Sequence, residues 1–309
     1  MNRRNFAKQY CEKFYLINGK RNTILTMLRQ FFLLLKILFT RKIKTIHVIN
    51  EQLMIFFYPI FFFKYTVLDV FDSIFLLWNK SGEKWNLIKR IVYAPVNKIL
   101  VTDENRRDLM PAFVHHKIIV LENYPIEYEK PVKKNTNPDE VTIFFNGCMS
   151  VNRGLYVLQR LVEYGKPIKV IMAGWIIDKE TEHLIQYPNV EYRGIVTQDV
   201  SLTIAANEAD YILCLYAPVN ENNINASPNK IYDSIQTQTP VIINSEVNIA
   251  DFVAGHDLGI VLPSYHFDDT FSLVQSLKER KNTFHFNGNI SHSYTWQTIE
   301  HKLIGAHKP

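Results

Sequence analysis

The stretch Ala226-Ser227-Pro228-Asn229-Lys230-Ile231-Tyr232-Asp233, followed by Pro240-Val241-Ile242-Ile243-Asn244, predicts a polar loop, a short helix and a buried strand. Lys230 and Asp233 are three residues apart, so on a helix both side chains project from one face near its N-terminus. That end of a helix carries free backbone N–H groups and partial positive charge, and a lysine beside it completes a seat for phosphate. An aspartate one turn further on can accept hydrogen bonds from a sugar hydroxyl. Together these features indicate a nucleotide site.

The composition describes a folded chain with a basic N-terminal end. Of its 309 residues, 47% are apolar and 21% are charged, which is enough for two domains with their own cores. The net charge of +5 comes mostly from residues 1–44, where Glu12 is the only acid. The apolar run at residues 31–39 lies in this segment. The segment can therefore form a basic helix on an anionic membrane surface or a core helix with basic ends, and both readings stay open.

Apolar runs, the N-terminal pattern and the cysteines together predict the cellular compartment. The apolar runs at residues 31–39 and 53–63 are shorter than the roughly 20 residues that a membrane-spanning helix needs, and no signal-peptide pattern opens the chain. Cys11, Cys148 and Cys214 are far apart and have no metal-site spacing, which fits a reducing environment. We expect a cytoplasmic protein, with peripheral contact at the inner face of the cytoplasmic membrane if the basic segment binds lipid.

Two series of alternating strands and helices predict an α/β fold with mostly parallel sheets. In the first series we expect strands at residues 45–49, 65–70, 98–102 and 117–121, and helices at 53–63 (broken at Pro59), 85–93 and 103–110. In the second we expect strands at 141–145, 169–173, 190–193, 211–215, 241–244 and 259–262, and helices at 153–164, 181–186, 200–208 and 230–236. The polar, proline-bearing residues 127–140 predict a linker. The domains are then 1–126 and 141–290, with a C-terminal helix over 291–309 that packs back on the N-terminal domain.

Ligands of parallel sheets bind beyond the carboxyl ends of the strands, so the residues after each strand are candidates. In the second series these are Asn146-Gly147, Gly174-Trp175, Gly194-Ile195, Tyr216-Ala217 and Asn244-Ser245. Any one of the glycines can equally be a simple turn residue. Arg153 follows the first of these strands near the start of a helix, where neither the G-x-G-x-x-G fingerprint nor a P-loop is present. Together with Lys230, Arg153 predicts a clamp for a pyrophosphate.

Four segments carry a family resemblance. They are Phe145-Asn146-Gly147 with Arg153-Gly154-Leu155, Asn189-Val190-Glu191-Tyr192-Arg193-Gly194, Ala209-Asp210-Tyr211-Ile212-Leu213-Cys214-Leu215-Tyr216, and Ser227–Asp233 with Thr239-Pro240-Val241-Ile242. In this order they resemble the C-terminal domain of nucleotide-sugar glycosyltransferases of the GT-B fold, in the large retaining group with bacterial polysaccharide enzymes. The resemblance covers the chain from about residue 40 and is specific from about residue 141. It implies two Rossmann-like, doubly wound domains that face a cleft, with a shortened N-terminal domain, because only Gly19 follows a possible strand at residues 14–17.

The resemblance also implies roles for individual residues. Asp233 falls at the second glutamate of the family's E-x7-E motif and would bind the donor ribose, while Arg153 and Lys230 would hold the diphosphate. The first acidic position of that motif is Asn225 here, an uncharged departure. Donor contacts are therefore expected from Asn146, Gly147, Arg153, Gly154, Gly194, Ile195, Tyr216, Asn225, Ala226, Ser227, Asn229, Lys230 and Asp233.

Asp69 and Asp72 stand at a strand end of the first series, where in an inverting enzyme a carboxylate can act as the base on an acceptor hydroxyl. Asp72 is the one that we expect to have this role or to bind the acceptor. Its neighbour Ser73 is expected to cap the next helix. We take Asp72, Arg153 and Lys230 as the catalytic candidates. No Asp-x-Asp pair flanks the nucleotide site, so no metal and no cofactor besides the donor are expected.

The main hypothesis is a glycosyltransferase of bacterial cell-surface polysaccharide synthesis. It would move a sugar from a nucleotide diphosphate sugar to a saccharide or polyprenyl-linked acceptor, with the retention of anomeric configuration that the resemblance implies, and it would not bind nucleic acid. One alternative is a non-catalytic partner subunit that keeps the fold and binds nucleotide without turnover. Another is a sugar-nucleotide epimerase, which would need catalytic carboxylates and histidines that the sequence does not reveal.

Overall fold

The computed structural model describes residues 24–40, 43–129, 137, 139–286 and 288–308. The chain divides into two compact units, one taking in residues up to Glu122 together with the chain from Ile299 onward, the other Asn123–Thr298. The possible strand at residues 14–17, Gly19 and residues 130–136 of the expected linker lie outside the described residues. Within the described ranges, no helix combines the length and the apolar character that crossing a bilayer requires.

The described part of the first unit is built on a parallel sheet with the strand order β1-β2-β3-β4. All four strands fall where β-branched and apolar runs predict them. They are β1 (Thr45–Ile49), β2 (Tyr65–Val70), β3 (Lys98–Val101) and β4 (Ile118–Val120). The helices are α1 (Ile24–Thr40), α2 (Asn50–Phe56), α3 (Ile74–Leu77), α4 (Asn86–Tyr93) and α5 (Glu104–Asp108), with 3-10 turns at Tyr58–Phe63, Glu83–Trp85 and Ala112–Lys117.

The expected helix over residues 53–63 is two elements in the structure. α2 ends at Phe56, and Pro59 lies in the first turn of the 3-10 segment Tyr58–Phe63. Proline has no N–H to donate and its ring collides with the preceding turn of an α-helix, so the α-helix ends before it. Met54 and Phe57 then join Leu68 and Ile99 in the core on one face of the sheet.

A buried carboxylate fixes the start of α3. Glu51 is fully buried and accepts hydrogen bonds from Ser73 Oγ (2.9 Å), Tyr93 OH (3.0 Å) and the Ile74 backbone N–H (3.2 Å). Burial raises the pKa of Glu51, and these donors act in the opposite direction. Ser73 in turn accepts a hydrogen bond from the Phe75 N–H at 3.3 Å, so the prediction that Ser73 caps this helix is confirmed.

The second unit contains a parallel sheet of six strands in its described part, in the spatial order β7-β6-β5-β8-β9-β10. This is the order of a doubly wound sheet. From β5 the chain adds β6 and β7 on one side, and it then returns to add β8, β9 and β10 on the other side of β5. The strands are β5 (Val141–Met149), β6 (Ile168–Ile176), β7 (Val190–Tyr192), β8 (Tyr211–Leu213), β9 (Val241–Asn244) and β10 (Gly259–Leu262). The two Rossmann-like units confirm the predicted α/β fold class.

Helices connect these strands, and the two cores lie on opposite faces of the sheet. Ile143 and Phe145 of β5 pack into one core, and Phe144 between them packs into the other, as the alternation of a strand requires. The helices are α6 (Leu155–Tyr164), α7 (Lys179–His183), α8 (Gln198–Asn207), α9 (Glu221–Ile224), α10 (Asn229–Thr237), α11 (Ala250–Gly255), α12 (Thr270–Arg280), α13 (Gly288–Ser293) and α14 (Trp296–Ala306).

The end of α14 belongs to the first unit. Lys302 pairs with Glu122 at 2.9 Å, and Thr45 Oγ1 donates a hydrogen bond to the carbonyl oxygen of His307 at 3.1 Å. The rings of His47 and His307 stack with centroids 5.0 Å apart. His47 also contacts the fully buried Asp69, with its Nε2 at 3.2 Å from Oδ2. These contacts hold the chain end against β1 and β2.

Strands β5 and β6 are longer than predicted. Asn146-Gly147 and Gly174-Trp175 were expected to follow their strands, but the ladder continues through Gly147 paired with Gly174 to Met149 paired with Ile176. A Cβ built on Gly174 would lie 2.0 Å from the Gly147 carbonyl oxygen, so only glycine allows this close pairing. The prediction that these four residues form loops was wrong, because the pairing that extends the strands is a tertiary feature.

Gly154 immediately precedes α6, which begins at Leu155, two residues later than the expected start at Arg153. Its φ of 98° lies in the left-handed region, and a Cβ added there would lie 2.9 Å from Leu215 Cβ. Arg153 therefore ends the 3-10 turn Val151–Arg153 and stands just outside the helix.

We expect Gly154→Ala to lower the free energy of unfolding by about 2–4 kcal/mol, because left-handed strain and overpacking against Leu215 add. The matched control is Gly147→Ala, where φ is 84° but no atom lies within 4 Å of the added Cβ. Strain alone should then cost about 1–2 kcal/mol. Urea unfolding of the two variants measures both values, and equal losses would show that the Leu215 contact does not constrain this turn.

Candidate functional site

The site lies at the carboxyl ends of β5 and β8, where the strand order reverses. Chains leaving these two strands go to opposite faces of the sheet, which opens a crevice between them. Arg153 follows β5 and Tyr216 follows β8. The Arg153 guanidinium carbon lies 3.9 Å from the centroid of the Tyr216 ring, so the two exits meet in a cation–π contact.

Hydrogen bonds from three neighbouring segments hold the loop that carries Arg153. The Val151 N–H donates to Asp178 Oδ2 (2.9 Å), and the Ala217 N–H donates to the carbonyl oxygen of Asn152 (3.0 Å). The Tyr265 hydroxyl accepts from the Gly154 N–H at 3.0 Å and donates to the carbonyl oxygen of Val151. The guanidinium therefore projects from a fixed backbone.

Asn244, at the end of β9, fixes Tyr216. Its Oδ1 accepts from the Tyr216 N–H at 2.9 Å, and its Nδ2 donates to the Tyr216 carbonyl oxygen at 3.0 Å. Nδ2 also donates to Glu246 Oε2 at 2.8 Å, and Glu246 Oε1 accepts from the Tyr265 N–H at 3.0 Å. Since Tyr265 holds the Arg153 loop, these contacts form a closed ring that sets the position of Arg153 over Tyr216.

Lys230 occupies the first turn of α10, as the sequence predicts. Its Nζ donates to the carbonyl oxygen of Leu213 at 2.7 Å and lies 5.2 Å from the Phe145 ring centroid. Within the described residues no side chain caps this end of α10, where Pro228 precedes the helix. Burial lowers the pKa of Lys230 to about 8, with the nearby Arg153 charge acting in the same direction.

Asp233 lies on the same helix and is 8% exposed. Burial raises its pKa to about 7, opposed by a hydrogen bond from the Gln198 side chain and by the charge of Lys230. Gln198 begins α8, and Ser201 on the same helix accepts a hydrogen bond from Asn146 Nδ2 at 3.0 Å. The first turns of α8 therefore form a polar wall shared by Asn146 and Asp233.

Three buried polar atoms of this site lack hydrogen-bond partners in the described part of the chain. They are Arg153 Nη1, Asn146 Oδ1 and Asp233 Oδ1. Buried polar groups are nearly always paired, and an unpaired one costs about 1–3 kcal/mol. Such atoms occur elsewhere, as at Trp85 and Trp296, but here a donor and two acceptors belong to one crevice. A polar ligand that accepts from Arg153 and donates to Asp233 would satisfy them.

Gly194, Ile195 and Asn225 are further predicted donor-binding residues of the second unit. Gly194 follows β7 with a φ of 66°, its carbonyl oxygen accepts from the Gly174 N–H at 2.8 Å, and Ile195 beside it is 62% exposed. The Asn225 amide donates to the Glu221 carbonyl oxygen (2.8 Å) and accepts from Asn248 Nδ2 (2.6 Å), which lies between β9 and α11.

The loop from Asn225 to Asn229 leads into α10. Ala226 and Ser227 are buried, and the Ser227 carbonyl oxygen accepts from Asn123 Nδ2 at 3.1 Å. Asn229 is exposed at the first position of the helix. The loop is therefore held at both ends, which fixes where the uncapped helix end points.

Asp72 lies in the first unit, just beyond β2, and is exposed. The backbone N–H groups of Phe71 and Asp72 both donate to Asn50 Oδ1, at 2.9 and 3.1 Å, and Asn50 itself has a φ of 58°. Asp72 therefore has a defined backbone position and a solvent-facing carboxylate. Its expected role with an acceptor stays a prediction.

Sequence reasoning missed Tyr265, Glu246, Asp178, Gln198 and Ser201. One signal was within reach: Tyr265 stands three residues after β10 ends at Leu262, so the strand-exit rule applies to it as well. No sequence pattern marks the other four, because each acts through a partner that only the fold brings close.

The arrangement combines two cations, a helix N-terminus and a carboxylate. Cationic side chains and free N–H groups stabilise phosphate oxygens, and a carboxylate accepts from paired hydroxyls. The Arg153 fork can contact two oxygens at once, while Lys230 acts as a point charge.

No protein-family model and no curated protein sequence matches this chain. Among solved structures, it is similar to sucrose-phosphate synthase from Thermosynechococcus elongatus (TM-score 0.65, 11% identity, 94% of this chain and 79% of the other). It is also similar to HepE from Anabaena in complex with UDP and glucose (TM-score 0.67, 10% identity, 98% and 88%). A third similar structure is the lipopolysaccharide outer core galactosyltransferase WaaB in its apo form (TM-score 0.57, 10% identity, 94% and 82%). At these identities the likeness shows the fold, and the chain has the GT-B fold of these glycosyltransferases.

Proposed function

We propose that this chain is a glycosyltransferase that binds a nucleotide diphosphate sugar in the crevice between β5 and β8. The observation that carries the proposal is the set of unpaired buried atoms on Arg153, Asn146 and Asp233 beside Lys230 and the uncapped end of α10. A nucleoside diphosphate supplies both phosphate oxygens for the cations and ribose hydroxyls for Asp233. The fold shared with HepE, whose structure holds UDP and glucose, supports the same assignment.

In the proposed reaction, the bond between the sugar's anomeric carbon and the β-phosphate oxygen breaks, and negative charge develops on the leaving diphosphate. Arg153, Lys230 and the N–H groups of α10 are placed to stabilise that charge. An acceptor hydroxyl forms the new bond on the face that the diphosphate leaves, and its proton passes to a phosphate oxygen, so the configuration is retained. The proposal needs no metal and no cofactor.

The proposed acceptor is a saccharide or a polyprenyl-linked saccharide of bacterial cell-surface polysaccharide synthesis, used at the inner face of the cytoplasmic membrane. The likeness to WaaB, a lipopolysaccharide outer core galactosyltransferase, supports this class of acceptor. Asp72, exposed and held in place by Asn50, would bind the acceptor in the first unit.

The affinity for a nucleoside diphosphate should be highest between about pH 7 and 8. The pKa of Asp233 is about 7 and that of Lys230 about 8, so both are charged only in that window. As the pH falls below 7, Asp233 takes up a proton and accepts fewer hydrogen bonds from hydroxyl groups. As the pH rises above 8, Lys230 loses its charge. We expect UDP binding to be roughly tenfold weaker well below pH 7 and well above pH 8 than between these values. Calorimetric titration at a series of pH values measures the difference.

The Asp233→Asn variant separates the decline in affinity below pH 7 from the decline above pH 8. It should remove the decline on the acid side and keep the alkaline one. Because the folded-state pKa of Asp233 is raised, the native state binds this proton more tightly, and stability is lost as the pH rises towards 7. Asp233→Asn should therefore raise apo stability at pH 8 while weakening nucleotide binding. An unchanged acid limb in the variant would rule out Asp233 as the titrating group.

One observation favours the alternative of a non-catalytic partner subunit. Asn225 stands at the position where the related motif is acidic, and its uncharged amide is hydrogen-bonded to Glu221 and Asn248. Assaying UDP-, GDP- and dTDP-sugars with saccharide and polyprenyl-linked acceptors distinguishes the two. We expect transfer from at least one donor, and about a tenfold loss in Asp72→Asn with unchanged UDP affinity. Nucleotide binding without transfer from any donor would favour the partner subunit.

A further inference from the structure

Helix α4 in the first unit buries Val92 and Tyr93 in the core together with Lys89, and it carries further apolar side chains on its outer side. Lys89 is 2% exposed, donates to the carbonyl oxygen of Ser81 and lies 5.6 Å from the Phe75 ring centroid. On the opposite side of the helix, Leu87 is 73% and Ile91 55% exposed. A helix of a globular protein normally has polar residues on the side away from the core, so this second, outward apolar face indicates a partner.

Neighbouring elements continue this apolar face. The Tyr58 hydroxyl donates to the carbonyl oxygen of Ile91 at 2.5 Å, which joins the 3-10 turn Tyr58–Phe63 to α4. Phe63 in that turn is 78% exposed. The exposed apolar residues of α2, this turn and α4, which we name the outer apolar face, are Leu53, Ile55, Phe56, Phe62, Phe63, Leu87, Ile88 and Ile91.

The surface charge of the chain segment that carries the outer apolar face is mostly positive. Between residues 43 and 98 the carboxylates at the surface are Asp72 and Glu83, whereas Glu51 and Asp69 are buried. The cations at the surface are Lys44, Lys64, Lys80, Lys84, Arg90 and Lys98. Such a face is complementary to a negatively charged apolar partner.

Two tryptophans adjoin this region. Lys80 Nζ lies 4.4 Å from the Trp85 ring centroid and 5.0 Å from that of Trp78, which is 60% exposed. Indole rings and lysine stems combine an apolar body with a polar tip, the character that suits the headgroup level of a lipid surface.

We propose that the outer apolar face docks on an anionic lipid surface. The exposed leucine, isoleucine and phenylalanine side chains enter the boundary between headgroups and acyl chains, and the surrounding lysines and Arg90 contact the anionic headgroups. Lipid is favoured over a second copy of this chain, because two copies of a cationic face repel each other. The proposal is independent of the nucleotide site, since docking requires no nucleotide.

Vesicle sedimentation of the full chain tests the proposal, with phosphatidylcholine vesicles that do or do not contain phosphatidylglycerol. We expect binding to the anionic vesicles that falls as salt rises, and little binding to phosphatidylcholine alone. Leu87→Ser with Ile91→Ser should reduce the partition coefficient at least about tenfold. Lys84→Glu with Arg90→Glu should do the same while leaving the apolar residues intact. The matched control is Phe271→Ser on α12, which removes an equally exposed side chain of the second unit.

Failure of the wild type to bind anionic vesicles would overturn the proposal, as would equal binding to neutral ones or wild-type binding by the Leu87/Ile91 variant. Sedimentation velocity tests the other candidate partner, a second copy of this chain. Self-association that the same variant abolishes, without vesicle binding, would assign the face to a second copy. Nucleotide affinity should stay at the wild-type value in both double variants, which separates this result from failure of the proposed function.

Discussion

Replacing Lys230 by alanine is expected to weaken UDP binding about 100-fold and to lower kcat/KM about 1000-fold or more. The ammonium is the point charge at the uncapped N-terminus of α10, and it is held toward the crevice by its hydrogen bond to Leu213. The loss in kcat/KM should exceed the loss in UDP affinity, because the negative charge on the diphosphate grows as the sugar leaves.

The apo protein should tolerate the loss of Lys230. The lowered pKa of about 8 shows that burial makes the Lys230 charge unfavourable in the folded state, so losing this charge should not lower the apo melting temperature. Lys278→Ala is the control, since it removes an exposed lysine of the same unit. UDP binding in Lys230→Ala within twofold of the wild type would mean that the lysine has a structural role only.

Replacing Arg153 by alanine is expected to weaken UDP binding about 30- to 100-fold and to reduce transfer about 100-fold. Arg153 Nη1 is buried without a hydrogen-bond partner in the described chain, and the guanidinium carbon lies 3.9 Å from the Tyr216 ring centroid. Arg153→Lys should restore less than about a tenth of the lost activity, because lysine has neither the planar fork nor the stacking surface.

The chain supplies a matched control for Arg153. Arg160 also stacks on a tyrosine, with its guanidinium carbon 4.7 Å from the Tyr156 ring centroid, but on the exposed side of α6. Arg160→Ala removes the same chemical group and the same kind of contact, and nucleotide binding should be unchanged. Equal losses in Arg153→Ala and Arg160→Ala would attribute the effect to overall charge rather than to the crevice.

Local pattern predicted much of the fold and part of the site. Every described strand falls on a predicted apolar run, and Lys230 and Asp233 share α10 because their spacing of three residues needs only a helix. Arg153 and Tyr216 were expected at two strand exits, and the order of a doubly wound sheet brings those exits together.

The errors arise where tertiary contacts outweigh local pattern. The extension of β5 and β6 depends on the backbone approach of Gly147 and Gly174, which no local propensity encodes. The prediction of a helix at residues 85–93 did not reveal that Lys89 is buried beside Val92 and Tyr93 while Leu87 and Ile91 face outward. Tyr265 reaches the Arg153 loop across more than 100 residues of sequence, so its role appears only in the folded unit.

Thermal unfolding with and without nucleotide tests the central claim most directly. A ligand that binds only the native state at about 100 times its Kd stabilises it by about 2.7 kcal/mol. We therefore expect UDP, GDP or dTDP to raise the melting temperature of the wild type by several degrees, with no shift from the corresponding nucleoside and none in Lys230→Ala or Arg153→Ala. The account would be contradicted if none of the three nucleotides shifted the wild type, or if the two variants shifted as much as the wild type does.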